Sequence, residues 1–228
     1  MSNHTYFTSH GIRTKRKEVD LLEKNFQSIL NKRKDDGDVH HCSYGHIPAW
    51  CLIPPLGSII NAPIIFMARR QLERLSRLYK TVIVILYSNG TWVGMRAIEN
   101  SKKINNNLHV ILFGSTLRCS FDFTKLEGKV RTVTNFCSVK DNVIRFFPRL
   151  INMGNAGYYG FRTFEGMEAN VEIKDEKVWT PDEAWDRSPF PQVTNIHHNT
   201  VSHSGWFETD KYIMGALDRV IEKIKVVA

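Results

Sequence analysis

The heptapeptide TVIVILY, residues 81–87, constrains the fold more than any other part of the chain. A strand with one face in water alternates apolar and polar residues, whereas one that is apolar throughout has both faces covered. Helices laid on both sides of a parallel sheet provide that cover. The run stops at Ser88-Asn89-Gly90, and a helix-like stretch, TWVGMRAIEN (91–100), follows. A buried strand thus ends on a serine at a sharp turn, with a glycine two residues on.

The rest of the chain alternates in the same way. HTYFTSHG (4–11) reads as a strand entering a turn, DVHHCSY (38–44) as a weaker strand, and LHVILFGS (108–115) and VRTVTNFCS (130–138) as further strands. KEVDLLEKNFQSILNKRK (17–34) puts Val19, Leu22, Phe26, Ile29 and Leu30 on one helical stripe, with Gly37 as a stop. ARRQLERLSRLY (68–79) is helical, with Leu72, Leu75 and Leu78 on one side. VTNIHHNTVSHSG (193–205) ends in a polar loop, and an amphipathic helix starting from a Thr209 cap closes the chain. Strand–helix alternation predicts an α/β fold with a mostly parallel sheet. Residues 162–192 break the rhythm with a hairpin-like NVEIKDEKVWT and a proline-rich stretch, an irregular excursion over one end of the sheet.

Composition sets limits. A chain of 228 residues with 42% hydrophobic content suits one domain spanning 1–228. The net charge is +8, but RTKRK (13–17) and NKRK (31–34) hold seven of the basic residues at the two ends of one predicted helix. That is a solvated face, and with no nucleic-acid motif no specific nucleic-acid partner is expected. Cys42, Cys51, Cys119 and Cys137 form no C-x-x-C and read as buried free thiols of a reducing compartment. The N-terminus lacks the charged and apolar regions of a secretory signal, so a cytoplasmic location is expected.

Residues 47–68, IPAWCLIPPLGSIINAPIIFMA, carry no charge, but Pro48, Pro54, Pro55 and Pro63 interrupt them. Prolines at that density break a lipid-exposed helix, so a loop or a pair of short helices is expected. Two roles stay open for it. One is an apolar flap beside the active site that binds an acyl chain or touches a lipid surface, giving a peripheral membrane contact; the other is completion of the core.

Ser88 also has two readings. A serine on a strand-to-helix turn can be a nucleophile, pushed out above the sheet when small residues stand two before and two after it. It can equally be the cap of the following helix. Gly90 supplies the second small position, but the first is Leu86. Further segments bear on the choice. SHGIRT (9–14) is an early loop with Gly11 at its turn; TNFCSVKDNV (134–143) puts Asp141 just past a strand; HHNTVSHSGWF (197–207) puts His203 in a loop before the last helix. Ser88, Asp141 and His203 follow the serine–acid–histidine chain order of hydrolases with a nucleophile elbow.

With these segments in view, the chain resembles the α/β-hydrolase superfamily. It looks most like small bacterial and phage-borne hydrolases that open with HGIRT. LYSNGT (86–91) stands where that group has an AHSFGT-like elbow. ILFGSTLRCSFDF (111–123) is similar to its following strand, VTNFCSVKD to its acid segment and NTVSHSGWF to its histidine segment. The resemblance implies a minimal α/β-hydrolase fold of about six strands, lacking the first two of a full sheet. It also implies a serine hydrolase acting on an ester-like bond, lipid or thioester included, through Ser88, His203 and Asp141. Backbone N–H groups of Ile12 and Asn89 would form the oxyanion hole. His10, Tyr87 and Trp50 are candidates for the pocket wall. The substrate would be a small-molecule or lipid acyl compound, with no metal and no organic cofactor; the oligomeric state is left open. The alternative is a catalytically degenerate scaffold that binds another protein.

Other groups rank lower. His40, His41, Cys42 and His46 invite a zinc reading, but neighbouring histidines on a strand point to opposite faces. His197 and His198 read as loop or strand histidines. Asp122 is a rival acid, further past its strand than Asp141. The glycines of NMGNAGYYGF (152–161) read as loop flexibility and not as a dinucleotide site.

Overall fold

A computed structural model describes residues 3–10, 24, 26–28, 30–31, 35–42, 56–150, 154–162, 168–172, 191–198, 201–207 and 211–227. Seven strands form one sheet: β1 (His4–Ser9), β2 (Asp38–Cys42), β3 (Thr81–Tyr87), β4 (Leu108–Phe113), β5 (Val130–Cys137), β6 (Glu168–Glu172) and β7 (Gln192–His197). Their spatial order is β2-β1-β3-β4-β5-β7-β6. Every neighbouring pair is parallel. The helices with described bounds are α1 (Leu56–Leu78), α2 (Asn89–Glu99), α3 (Asn142–Leu150), the single turn α4 (Ala156–Tyr159) and α5 (Lys211–Val227), and residues 24, 26–28, 30 and 31 are helical as well. The α/β class and the parallel sheet agree with the sequence.

β3 lies within the sheet and alternates its side chains between two cores. Val82, Val84 and Leu86 join Ile64, Ala68, Leu72 and Leu75 of α1 and Val93 of α2 on one face. Ile83, Ile85 and Tyr87 join Phe26, Leu30 and the Leu217–Ile224 stretch of α5 on the other. Both faces are dry, which is why β3 can be apolar throughout.

One element differs from expectation and another is described only in part. Of the stretch expected to be hairpin-like, residues 170–180, the part up to Glu172 belongs to β6, a parallel edge strand beside β7, and the rest lies outside the described residues. The loop expected before residue 68 is, from Leu56 onward, continuous helix with Pro63 inside it. Asn61, Ile64 and Ala68 are buried there, and burial of one side outweighs a missing N–H. Pro63 itself is exposed, as is Ile59, whose carbonyl loses its helical donor, so the gap in the helical bonding lies on the solvent side of α1. No helix among the described residues is long and apolar enough to cross a membrane.

The glycines near residue 157 correct the flexibility reading. A β-carbon on Gly154 would lie 2.0 Å from the Arg118 nitrogen, and one on Gly157 2.2 Å from that of Ser115. They let this segment lie directly on the backbone that follows β4, bonded through Gly154 N–H to Thr116 O and Gly157 N–H to Ser115 O. Far from there, Asp35 has a fully buried side chain. It accepts hydrogen bonds from Tyr6 Oη (2.6 Å) and Gly37 N–H (2.9 Å) and also meets His4 Nε2 and Lys225 of α5. Burial alone would raise its carboxyl pKa, but these partners outweigh burial and hold it below the usual carboxylate range.

Candidate functional site

Ser88 follows β3 with φ 52° and ψ −126°. Among the described residues it is the non-glycine with positive φ. Such a backbone costs about 1–3 kcal/mol and persists only where its surroundings dictate it. Here its N–H donates to Phe113 O at the end of β4 (3.0 Å). Its carbonyl accepts from Thr91 N–H (2.9 Å), Thr91 Oγ1 (2.6 Å) and Thr116 Oγ1 (3.3 Å). The side chain occupies the cap position of α2 yet makes no capping bond. Ser88 Oγ instead lies 3.1 Å from His203 Nε2.

The turn needs space on both sides, and glycines provide it. A β-carbon on Gly90 would lie 2.6 Å from His10 O and 2.8 Å from Ser9 O, so the first turn of α2 rests directly on the end of β1. Leu86, the large residue two before the serine, is fully buried. Its side chain fills the place beside Gly94, where a β-carbon would come within 2.5 Å of Cδ1. The missing small residue of the strand has its counterpart in the helix.

His203 lies just before a short 3₁₀ turn, Ser204–Phe207. Its Nδ1 is 2.8 Å from Asp141 Oδ2. Asp141, past the end of β5, is fully buried. Its Oδ1 accepts from Ile144 N–H in α3 (3.0 Å), leaving Oδ2 to the imidazole, with Trp206 Nε1 at 3.5 Å from the same oxygen. Gly114, at φ 52°, follows β4 directly beneath this pair; a β-carbon there would lie 3.1 Å from the imidazole and 3.2 Å from Oδ2. The loop carrying His203 is fastened by Ser138 Oγ donating to Val201 O (2.6 Å) and Tyr87 Oη donating to His203 O (3.0 Å).

Ser88, Asp141 and His203 are therefore brought together. Asn89 begins α2 and is fully buried; its backbone N–H belongs to a helix N-terminus, where no intrahelical acceptor exists. Its side chain donates to Asn61 Oδ1 of α1 (3.4 Å). Tyr87 is 7% exposed, and its ring packs against that of His203 with centroids 5.0 Å apart. His10 is buried, stacked on His41 at 5.4 Å, and meets the elbow through its carbonyl. Ile12 and Trp50, like Gly11, His46 and Cys51, lie outside the described residues.

The lower-ranked groups separate. His41 Nδ1 is 2.7 Å from Thr8 Oγ1, while Cys42 joins the core of the other helices. Asp122 is exposed and caps the turn Phe123–Leu126 by accepting from Thr124 N–H. Reasoning from sequence missed Gly94, Gly114 and Trp206. Gly114 was marked by its place right after a strand; Gly94 carries no such mark.

No protein-family model and no curated protein matches the chain. Among solved structures it is similar to a protein of unknown function from Agrobacterium tumefaciens, provisionally described as an α/β hydrolase. The two are 12% identical, with a TM-score of 0.47, over 98% of this chain and 86% of that one.

Proposed function

We propose that the chain is a serine hydrolase of the α/β-hydrolase type, cleaving an ester-like bond through Ser88, His203 and Asp141. One observation carries this reading: Ser88 stands where a cap should be, makes no capping bond, and puts its hydroxyl on His203. In the reaction, Ser88 Oγ attacks the acyl carbon while its proton passes to His203 Nε2. The carbonyl electrons move to oxygen, where the Asn89 N–H faces the developing charge. As the tetrahedral adduct collapses, His203 returns the proton to the leaving group and an acyl-serine remains. Water, deprotonated by the same imidazole, then releases the acid and regenerates the serine. Asp141 holds the imidazole with Nδ1 protonated and stabilises the cation formed at each transfer.

The alternative, a catalytically degenerate scaffold that binds another protein, draws on Leu86 at the elbow; the room that Gly94 leaves for Leu86 favours the hydrolase reading. A fluorophosphonate probe tests the proposal. Wild type should label at Ser88, while Ser88→Ala and His203→Ala should not label and should lose hydrolysis of a short activated ester. Full labelling of Ser88→Ala, or a folded wild type inert to the probe, would refute it.

A further inference from the structure

We infer that the outward face of α1 docks this protein on an anionic lipid bilayer. The inward face is used up: Ile64, Ala68, Leu72 and Leu75 are buried against the sheet. The outward face is not polar, as a solvated helix face would be. Ile59, Phe66, Met67 and Leu78 on it are 66%, 52%, 56% and 63% exposed. Ala62, Pro63, Arg70, Arg74 and Arg77 are exposed on the same side, at the three- and four-residue spacing of one stripe. The apolar members lie mainly towards the N-terminal half and the arginines towards the C-terminal half.

Charge complementarity selects the occupant. Four arginines stand on α1 against one acid, Glu73, which is buried, accepts from Ser101 Oγ (2.7 Å) and pairs with Arg69. The charged members of the outward stripe are thus all cationic; Lys103 and His40 border the groove beside it, along with Glu73 and Tyr79, whose hydroxyl donates to Asp38. Arg70 and Arg77 are about 10 Å apart along the axis, too far for one phosphate to bridge, so they suit an array of anionic groups. A nucleic acid offers such an array, and a single Phe66 could stack on its bases, but it has no apolar layer for the whole run of Ile59, Ala62, Pro63, Phe66 and Met67. A bilayer offers both anionic headgroups and an acyl boundary beneath them. The apolar half is also the half tied to the serine turn, through Asn61 and Asn89. The inference stands on the helix face and not on the triad.

Sedimentation with sucrose-loaded vesicles tests it on the full chain. Wild type and Ser88→Ala should both bind phosphatidylcholine–phosphatidylserine vesicles, not bind phosphatidylcholine alone, and release as salt rises. Arg70→Gln/Arg74→Gln/Arg77→Gln should lose on the order of a hundredfold in partitioning, since each basic residue at such a surface contributes about fivefold. Phe66→Gln/Met67→Gln should weaken binding at low and high salt alike. Absence of wild-type binding, salt-independent binding, or unchanged binding by both folded variants would overturn the inference. Displacement from vesicles by duplex DNA, with tighter binding to the DNA, would also overturn it in favour of a nucleic-acid surface. If a variant misfolds, the lipid and salt dependence of the wild type still decides.

Discussion

Ser88 occupies its unfavourable backbone because hydrogen bonds from β4, α2 and the Thr116 loop fix both its amide and its carbonyl. Its side-chain direction follows from that backbone, and the room for it comes from residues chosen in pairs. Leu86 and Gly94 are one such pair, which gives a residue-level prediction. Gly94→Ala sets a methyl against Leu86 and should cost about 1–3 kcal/mol. Adding Leu86→Ala should make the second change cheaper than in wild type, leaving a coupling of at least about 0.5 kcal/mol in urea unfolding. Strict additivity would mean the two side chains do not share that space. The pair also explains what was legible here. Ser88, Asp141 and His203 each stand at a strand end in the chain order of a known chemistry, so the sequence displays them. Gly94 acts through a contact between helix and strand, and no local pattern announces it.

At the level of elements, strands were easier to read than helices. β3, β4 and β5 show their burial directly in continuous apolar runs. α1 was half hidden because Pro63 and the prolines just before the helix speak locally against it, while its buried face is decided by the sheet it covers. Similarly, β6 takes its direction from β7, outside its own sequence. If tertiary burial carries Pro63, removing the proline should help. Pro63→Ala restores an N–H for the Ile59 carbonyl on an exposed turn. It should raise unfolding free energy by about 1–2 kcal/mol, the gain being reduced because alanine also frees the unfolded chain. An unchanged or lower denaturation midpoint would show that the helix relies on the proline.

Across the whole molecule, the sheet buries His109 and half-buries His41, and both favour the neutral form. Burial, with the Arg131 charge adding to it, lowers His109 from 6.5 to about 3. Burial and neighbouring His10 lower His41 from 6.5 to about 4. Between those limits the unfolded chain binds protons that the native one does not, so stability increases with pH. It is complete above about pH 6.5 and falls as pH drops toward 4 and then 3, at up to about 1.4 kcal/mol per pH unit for a fully buried histidine. Asp35 adds to the loss only below its unfolded value of 3.8. Urea midpoints measured from pH 7 to pH 4 should decline below 6.5, and His109→Gln should flatten the decline. A profile level over that span would show that both imidazoles are protonated in the native state.

The clamp on Ser88 also imposes an order in time. Its amide awaits Phe113, its carbonyl awaits Thr116, and its hydroxyl awaits His203, which lies 115 residues downstream. A ribosome that has just released β3 has delivered a serine with nothing to hold it in that backbone and no imidazole beside its hydroxyl. Ser88 Oγ meets His203 only once the loop after β7 has docked, so on the function proposed above reactivity toward an acyl group would signal that the chain had been made past that loop and folded.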